Sequence, residues 1–345
     1  MEKKKQYNGL DAVKFFLALL IAQRHIIQIF FDGNSRWRIL IGNWLSNLGV
    51  PVFFIIAGFF LFRKLDDDHL DPKIIYRYCG RILRLYLIWS VLYLPVDIRN
   101  WYYGTRDLKE GILTYLHSFF FCSTIPQLWY LPALCLACLM VWLAWSKGMK
   151  LWQILAISFC FLLAGYLSDN WYYNQRFPEA AQKLLAWYRR WFITPRNGVF
   201  YGSFYVALGL AFARTKRRIP CWCASAGFCF FLWCMYREVM RCTDAGSNTN
   251  FVLSAAPAAV CLFAAAASVN WKDRPLYKRL RGMSEWIYLS HFYFFHFLVW
   301  LGPWNPVPFT SKTVTVMIMV PMLVCCWGLV RLSETKQGRW LRKLI

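Results

Sequence analysis

The sequence predicts an all-α, polytopic integral membrane protein, a bundle of about ten transmembrane helices with both termini in the cytoplasm. Three observations lead there. Of 345 residues, 59% are hydrophobic and only 17% charged, which leaves too little polar surface to cover a soluble fold of this size. The apolar residues gather into stretches near the roughly 20 residues that a helix needs to cross a bilayer core about 30 Å thick. Lys and Arg then concentrate in every second connection, as they do on the cytoplasmic side of membrane proteins.

The ten stretches run at approximately 9–31, 44–62, 80–97, 127–146, 151–168, 198–213, 219–237, 250–270, 283–302 and 313–331, and the fifth and sixth are short. If Met1 is cytoplasmic, the inside segments 1–8, 63–84, 146–150, 214–218, 271–281 and 331–345 hold 25 basic residues. The outside segments 32–43, 97–110, 169–197, 237–250 and 303–312 hold 13, and the other two, Lys14 and Arg24, lie within the first stretch. The formal charge of +23 would suggest nucleic acid in a soluble chain. Basic rims facing anionic head groups account for most of it here, so lipid and not nucleic acid is the expected partner.

The N-terminal MEKKK leads into an apolar stretch too long for a signal-peptide core, with no small-residue cleavage site, and is expected to stay attached. Most of the 13 cysteines lie inside apolar stretches and read as small packing residues. Cys135 and Cys138 form a CxxC, for which the apolar setting argues against redox or metal chemistry. No low-complexity linker or soluble stretch breaks the chain, so residues 1–345 read as a single transmembrane domain. The longest outward connection, 169–197, is rich in Trp and Tyr (171–173, 187, 188 and 191) beside Arg189 and Arg190. That suits an interfacial aromatic belt, with a sugar-binding platform as the other reading. The segment DDDHLDPKIIYRY is the most polar inward loop, and Pro72 within it marks the beginning of the third helix inside the cytoplasmic rim.

Ionisable side chains inside spanning helices are costly, so each marks a possible site. In GLDAVKFFLALLIAQRH, Lys14 and His25 are eleven residues apart, which returns them to nearly one face of a helix about 16 Å apart along its axis. Lys14 would sit at the cytoplasmic rim and His25 beyond the midplane. Asp11, one turn before Lys14, is placed to pair with it. Lys14 alone reads equally as a snorkelling lysine. His25 reads as a general base near neutral pH, or as a structural histidine bonded to a neighbouring helix.

Arg77, Arg81 and Arg84 share one stripe where the third helix begins, suited either to phosphate binding or to positive-inside anchoring. In the ninth stretch, SEWIYLSH places Ser284, Tyr288 and His291 on one face, with Glu285 near the cytoplasmic rim. An interhelical hydrogen-bond network is the plain alternative to a catalytic role. Glycine-rich phosphate loops, GxSxG and HExxH are absent from the sequence, and no metal ligand set is expected.

Read in order, these elements resemble the membrane-bound acyltransferase 3 family, which includes O-acetyltransferases of bacterial surface polysaccharides. The resemblance spans nearly the whole chain. It rests on Gly9-Leu10-Asp11, on Lys14 and His25, and on the segment from Gly49 through Pro51, Phe53 and Phe54 to Ala57-Gly58. It continues in Arg81 and Arg84, Leu128-Trp129-Tyr130-Leu131, and Ile287-Tyr288-Leu289 with His291. Ala57 stands where the family usually has serine, and Leu87 where many members have proline. The leucine and the residues around Trp129 look closer to the membrane domain of vancomycin-resistance serine racemases, although no racemase domain is expected in these 345 residues.

The resemblance implies transfer of an acyl group, usually acetyl, from cytoplasmic acetyl-CoA or another acyl-CoA to a hydroxyl at or beyond the outer face of a bacterial cell membrane. It implies a cell-envelope glycan or similar acceptor. Arg77, Arg81, Arg84 and Lys14 would hold the coenzyme phosphates, and His25 would meet the thioester as general base or transient nucleophile. Tyr288 or His291 would orient His25 or stabilise the oxyanion, provided that the ninth helix packs near the first. The competing reading is a carrier or delivery module for a small molecule such as serine, for which an internal repeat would be expected and none is evident. A third is an inert membrane scaffold.

Overall fold

The computed structural model describes residues 6–31, 35–65, 71–103, 107–174, 177–215, 219–301 and 311–345. The described residues form helices and no strand. The basic run at 3–5, the acidic triplet at 66–68 and most of the last outward connection lie outside them, as do the side chains at 171–173.

Among the described residues, twelve α-helices follow one another: α1 Asn8–Phe30, α2 Gly49–Phe62, α3 Pro72–Tyr103, α4 Leu108–His117, α5 Tyr130–Ser146 and α6 Leu151–Asn174. Then come α7 Glu179–Trp191, α8 Ser203–Arg214, α9 Cys221–Asp244, α10 Ala255–Ser268, α11 Pro275–Leu301 and α12 Ser311–Glu334. Ten of these coincide with the ten apolar stretches. α4 and α7 do not. Among the described residues, five helical segments are long and apolar enough to cross a membrane: Arg38–Phe62, Pro72–Trp101, Leu108–Ser146, Leu151–Asn170 and Lys312–Glu334. The fifth stretch, short in sequence, belongs to a 24-residue helix because Ser168, Asp169 and Asn170 continue it with side chains satisfied inside the protein. α3 begins at Pro72 as expected, since proline is tolerated in a first turn, where its missing N–H would have no partner.

The helices group into two compact units, and α2, α9 and α10 belong partly to each. The first unit is Met1–Val52, Arg217–Val239 and Pro257–Ile345. In it α1 packs along α11, and both pack on α12. Buried Ile26, Val314 and Ile318 meet with Phe30, Phe294, Phe295, Leu298 and Met319 around them. A π-helical segment, Arg38–Trp44, lies against α1, and the Trp44 indole donates to the Leu232 carbonyl of α9 at 3.0 Å. Gly9 presses on the backbone carbonyl of Ala266 in α10, a contact that leaves no room for a Cβ.

The second unit is Phe53–Lys216 with Met240–Ala256. α3 and α5 join through reciprocal bonds, Cys79 Sγ to the Cys135 carbonyl and Cys135 Sγ to that of Cys79. These cysteines are free thiols that pack helices, and Cys138 is buried with them. α2 and α8 cross at Gly58 and Gly209, each against the other helix's backbone. Arg214 caps α2 by donating to the carbonyls of Phe62 and Leu65 at its C-terminal end. α7 occupies the aromatic connection 169–197. Its Arg189 reaches the fully buried Asp169 of α6 at 3.0 Å, while Leu184, Trp187 and Trp191 form an exposed stripe on another face.

Candidate active site

The polar residues of α1 are sorted by helical phase. Asp11, Lys14 and His25 share the face turned to α11, while Arg24, 100° further back round the axis, points to the turn that precedes α2. The first three each find a partner on α11. Arg281 donates to both oxygens of Asp11, Nε to Oδ1 at 2.8 Å and Nη2 to Oδ2 at 2.6 Å. Lys14 Nζ lies 3.6 Å from Glu285 Oε1. His25 stacks on His291 with ring centroids 5.3 Å apart and planes inclined by 22°.

The three contacts climb both helices in the same order, so α1 and α11 run parallel. α12 runs antiparallel to α11, as the pairs Arg279–Glu334 and Ser290–Cys326 show. The expected pairing of Asp11 with Lys14 is therefore not formed. A carboxylate only 4% exposed gains more from a two-pronged guanidinium than from the point charge of a lysine one turn away. The same bond holds the Arg281 guanidinium above its ordinary pKa.

His291 is 3% exposed. Its Nδ1 lies 2.9 Å from the carbonyl of Ile287 and 3.0 Å from that of Tyr288, so Tyr288 meets the imidazole through its backbone. Ser284, on the same helix face, turns its hydroxyl back to the Arg281 carbonyl at 2.7 Å. Phe292 packs edge-on against His25, with centroids 4.8 Å apart, and limits how that ring can turn.

Arg24, within the first apolar stretch, is a further buried polar residue of α1. It is 8% exposed, and its Nη1 donates to Asn47 Oδ1 at 2.7 Å and Ser46 Oγ at 3.2 Å. It thereby fixes α1 next to the imidazole. Its signal was available: an arginine deep in an apolar stretch, followed some twenty residues later by Ser-Asn just before Gly49.

The arginine stripe is in the second unit. Arg77, Arg81 and Arg84 are exposed on α3, whose other face buries Ile75, Cys79, Ile82, Leu85 and Tyr86. Arg81 lies over the Tyr78 ring at 5.9 Å. The structure thus brings together His25, His291 and Lys14 with Glu285 along one helix pair of the first unit.

Fold and site together define an all-α membrane protein with two stacked imidazoles inside a helix pair that ion pairs hold in register. The chain belongs to the acyltransferase 3 family, whose acyltransferase domain matches residues 7–331 and so runs through both units.

The chain is also similar to a protein named amino-acid racemase of Enterococcus faecalis, 30% identical over 224 residues, which are 63% of this chain and 30% of that protein. A second amino-acid racemase of the same organism is 25% identical over 212 residues, 61% of this chain and 28% of that protein. A serine/alanine racemase of Enterococcus gallinarum is 23% identical over 218 residues, 59% and 28%. The chain thus spans less than a third of the length of these relatives. No solved structure matches it.

Proposed function

We propose that this protein crosses the cytoplasmic membrane of a bacterium about ten times, with both ends inside, and moves an acyl group from cytoplasmic acyl-CoA to a hydroxyl of a cell-envelope glycan. Acetyl is the acyl group and acetyl-CoA the donor. The observation that carries this reading is the stacking of His25 on His291 within a family of acyltransferases. A pair of stacked imidazoles, His291 buried and His25 half-buried beside Phe292, is equipped for proton transfer at a thioester.

The parallel run of α1 and α11 supports the topology, because the first and ninth members of an alternating series point the same way. In this reading His25 meets the thioester, flanked by His291 and Tyr288. Arg77, Arg81, Arg84 and Lys14 take the coenzyme phosphates. An exposed stripe of guanidiniums at one end of α3 offers forks that match phosphate oxygens.

The experiment supplies membranes holding the protein with radiolabelled acetyl-CoA and follows label into envelope glycan. Transfer is expected from the wild type, to be abolished in His25→Ala and weakened in Arg84→Ala. Undiminished transfer in His25→Ala at equal expression would remove the central residue from the mechanism.

A second reading, a membrane carrier or delivery module for an amino acid such as serine, is favoured by one observation: the similar proteins are named as amino-acid and serine/alanine racemases. Uptake of labelled serine without any acyl transfer would establish it in place of the first.

A further inference from the structure

We infer that His291 is the base that takes the proton of the acceptor hydroxyl, leaving His25 to address the acyl group; this rests on the acyltransferase reading. A carbonyl oxygen only accepts hydrogen bonds. The two carbonyls within 3.0 Å of His291 Nδ1 therefore require that this nitrogen carry the hydrogen. In the neutral ring the lone pair is then at Nε2. That atom is buried and receives no hydrogen bond from any described residue. A buried acceptor left unmatched is costly, and it is suited to a donor that arrives with the substrate.

His25 does not serve as that donor. Imidazole nitrogens bond in the plane of the ring, and these two planes lie nearly parallel, inclined by 22°. Stacking leaves the in-plane direction of Nε2 in the His291 ring to a third group. A hydroxyl that brings its hydrogen to Nε2 of His291 has the second imidazole alongside, where the acyl carbon must sit.

The step balances. The acceptor oxygen attacks the carbonyl carbon of the thioester as the hydroxyl proton passes to Nε2. The tetrahedral centre collapses, the carbon–sulfur bond breaks, and the leaving sulfur takes the proton back from Nε2. An ester and a free thiol result, and His291 returns to its Nδ1–H form. While the ring is doubly protonated, the carbonyls of Ile287 and Tyr288 hold its other N–H, orienting it and stabilising its charge in the way an orienting group serves any histidine base. The base is thus fixed to its own helix turn.

The test compares wild type with His291→Gln and His291→Asn in intact membranes, measuring kcat and KM for acetyl-CoA together with the detergent-solubilised elution profile and melting temperature. Glutamine places an acceptor near the position of Nε2 but takes no proton; asparagine keeps a donor near Nδ1 and offers nothing at Nε2. A base contributes roughly 10²–10⁴-fold. Both variants are expected to lose about that factor in kcat, with KM changed by less than about twofold on the same scale and with wild-type elution and melting.

Full activity in His291→Asn would show that only the bonds to the carbonyls matter, and full activity in His291→Gln that the ring accepts without acting as base. Either result overturns the inference. His25→Gln separates it from the reading beneath it. Loss of transfer there with retention in His291→Gln removes this inference alone, whereas a wild type that transfers no acyl group removes both.

Discussion

Arg281 grips Asp11 through two guanidinium nitrogens, at 2.8 and 2.6 Å, and the two partners differ sharply in exposure: the Asp11 side chain is 5% exposed and that of Arg281 46%. The asymmetry dictates unequal costs. Arg281→Ala strands a carboxylate inside the protein, which costs about 3–5 kcal/mol when a buried pair is broken from one side. Asp11→Asn leaves an arginine that can turn to water, and the amide still accepts one bond, so about 1–3 kcal/mol is expected. Thermal unfolding of the purified protein in detergent should rank wild type above Asp11→Asn above Arg281→Ala. The reverse order would mean that the pair is not the register lock between α1 and α11.

Helical phase made much of this legible beforehand. Asp11, Lys14 and His25 were assignable to one face from their numbers alone, as were Ser284, Tyr288 and His291, because the α-helical repeat fixes the phase of residues on one helix. Sequence does not fix which helix lies opposite. Lys14 was therefore open to Asp11, to a phosphate or to water, and the structure gives it Glu285 at 3.6 Å. The same holds for Arg24, whose partners Ser46 and Asn47 lie on the 3-10 helical stretch Leu45–Leu48.

Apolar composition found the ten stretches but missed α4 and α7, whose sequences LKEGILTYLH and EAAQKLLAWYRRW are broken by charged and polar residues. In α7 the periodic signal was present. Leu184, Trp187 and Trp191 fall three and four apart, but a count of spanning stretches does not register a period.

The attachment of α7 is itself testable. Asp169 is fully buried at the end of α6 and takes Arg189 at 3.0 Å and the Asn248 amide at 2.6 Å. Arg189→Ala removes the charged one of these two partners, so the carboxylate keeps the nearby charge of Arg196 but loses its ion-paired hydrogen bond, and α7 loses its tether. Trypsin should then cut at Lys183 and Arg190, both on α7, at least about tenfold faster than in the wild type; a tenfold change in local opening needs only about 1.4 kcal/mol. The double variant Arg189→Ala with Asp169→Asn removes the stranded charge and should regain melting temperature while α7 stays cleavable. Equal cleavage of wild type and Arg189→Ala would show that packing of Leu185 and Tyr188, and not the ion pair, holds the helix.

The crossing of α2 and α8 gives a prediction about additivity. A Cβ on Gly58 would stand 2.6 Å from the Val206 carbonyl oxygen, and one on Gly209 would stand 2.5 Å from the Ile55 carbonyl oxygen and 2.6 Å from the Phe59 nitrogen. These neighbours are backbone, which cannot rotate aside as a side chain does, so each alanine forces the helices apart. Overpacking of this kind costs about 1–3 kcal/mol. The two residues sit at one crossing, and separating the helices for the first methyl makes most of the room for the second. Gly58→Ala with Gly209→Ala should therefore lose less than the two single losses added, by about 0.5–3 kcal/mol, the range seen for residues that share a contact. Melting of all four proteins in one detergent tests it. Strict additivity would mean that the helices relax locally at each glycine, and that the crossing is not a single rigid contact.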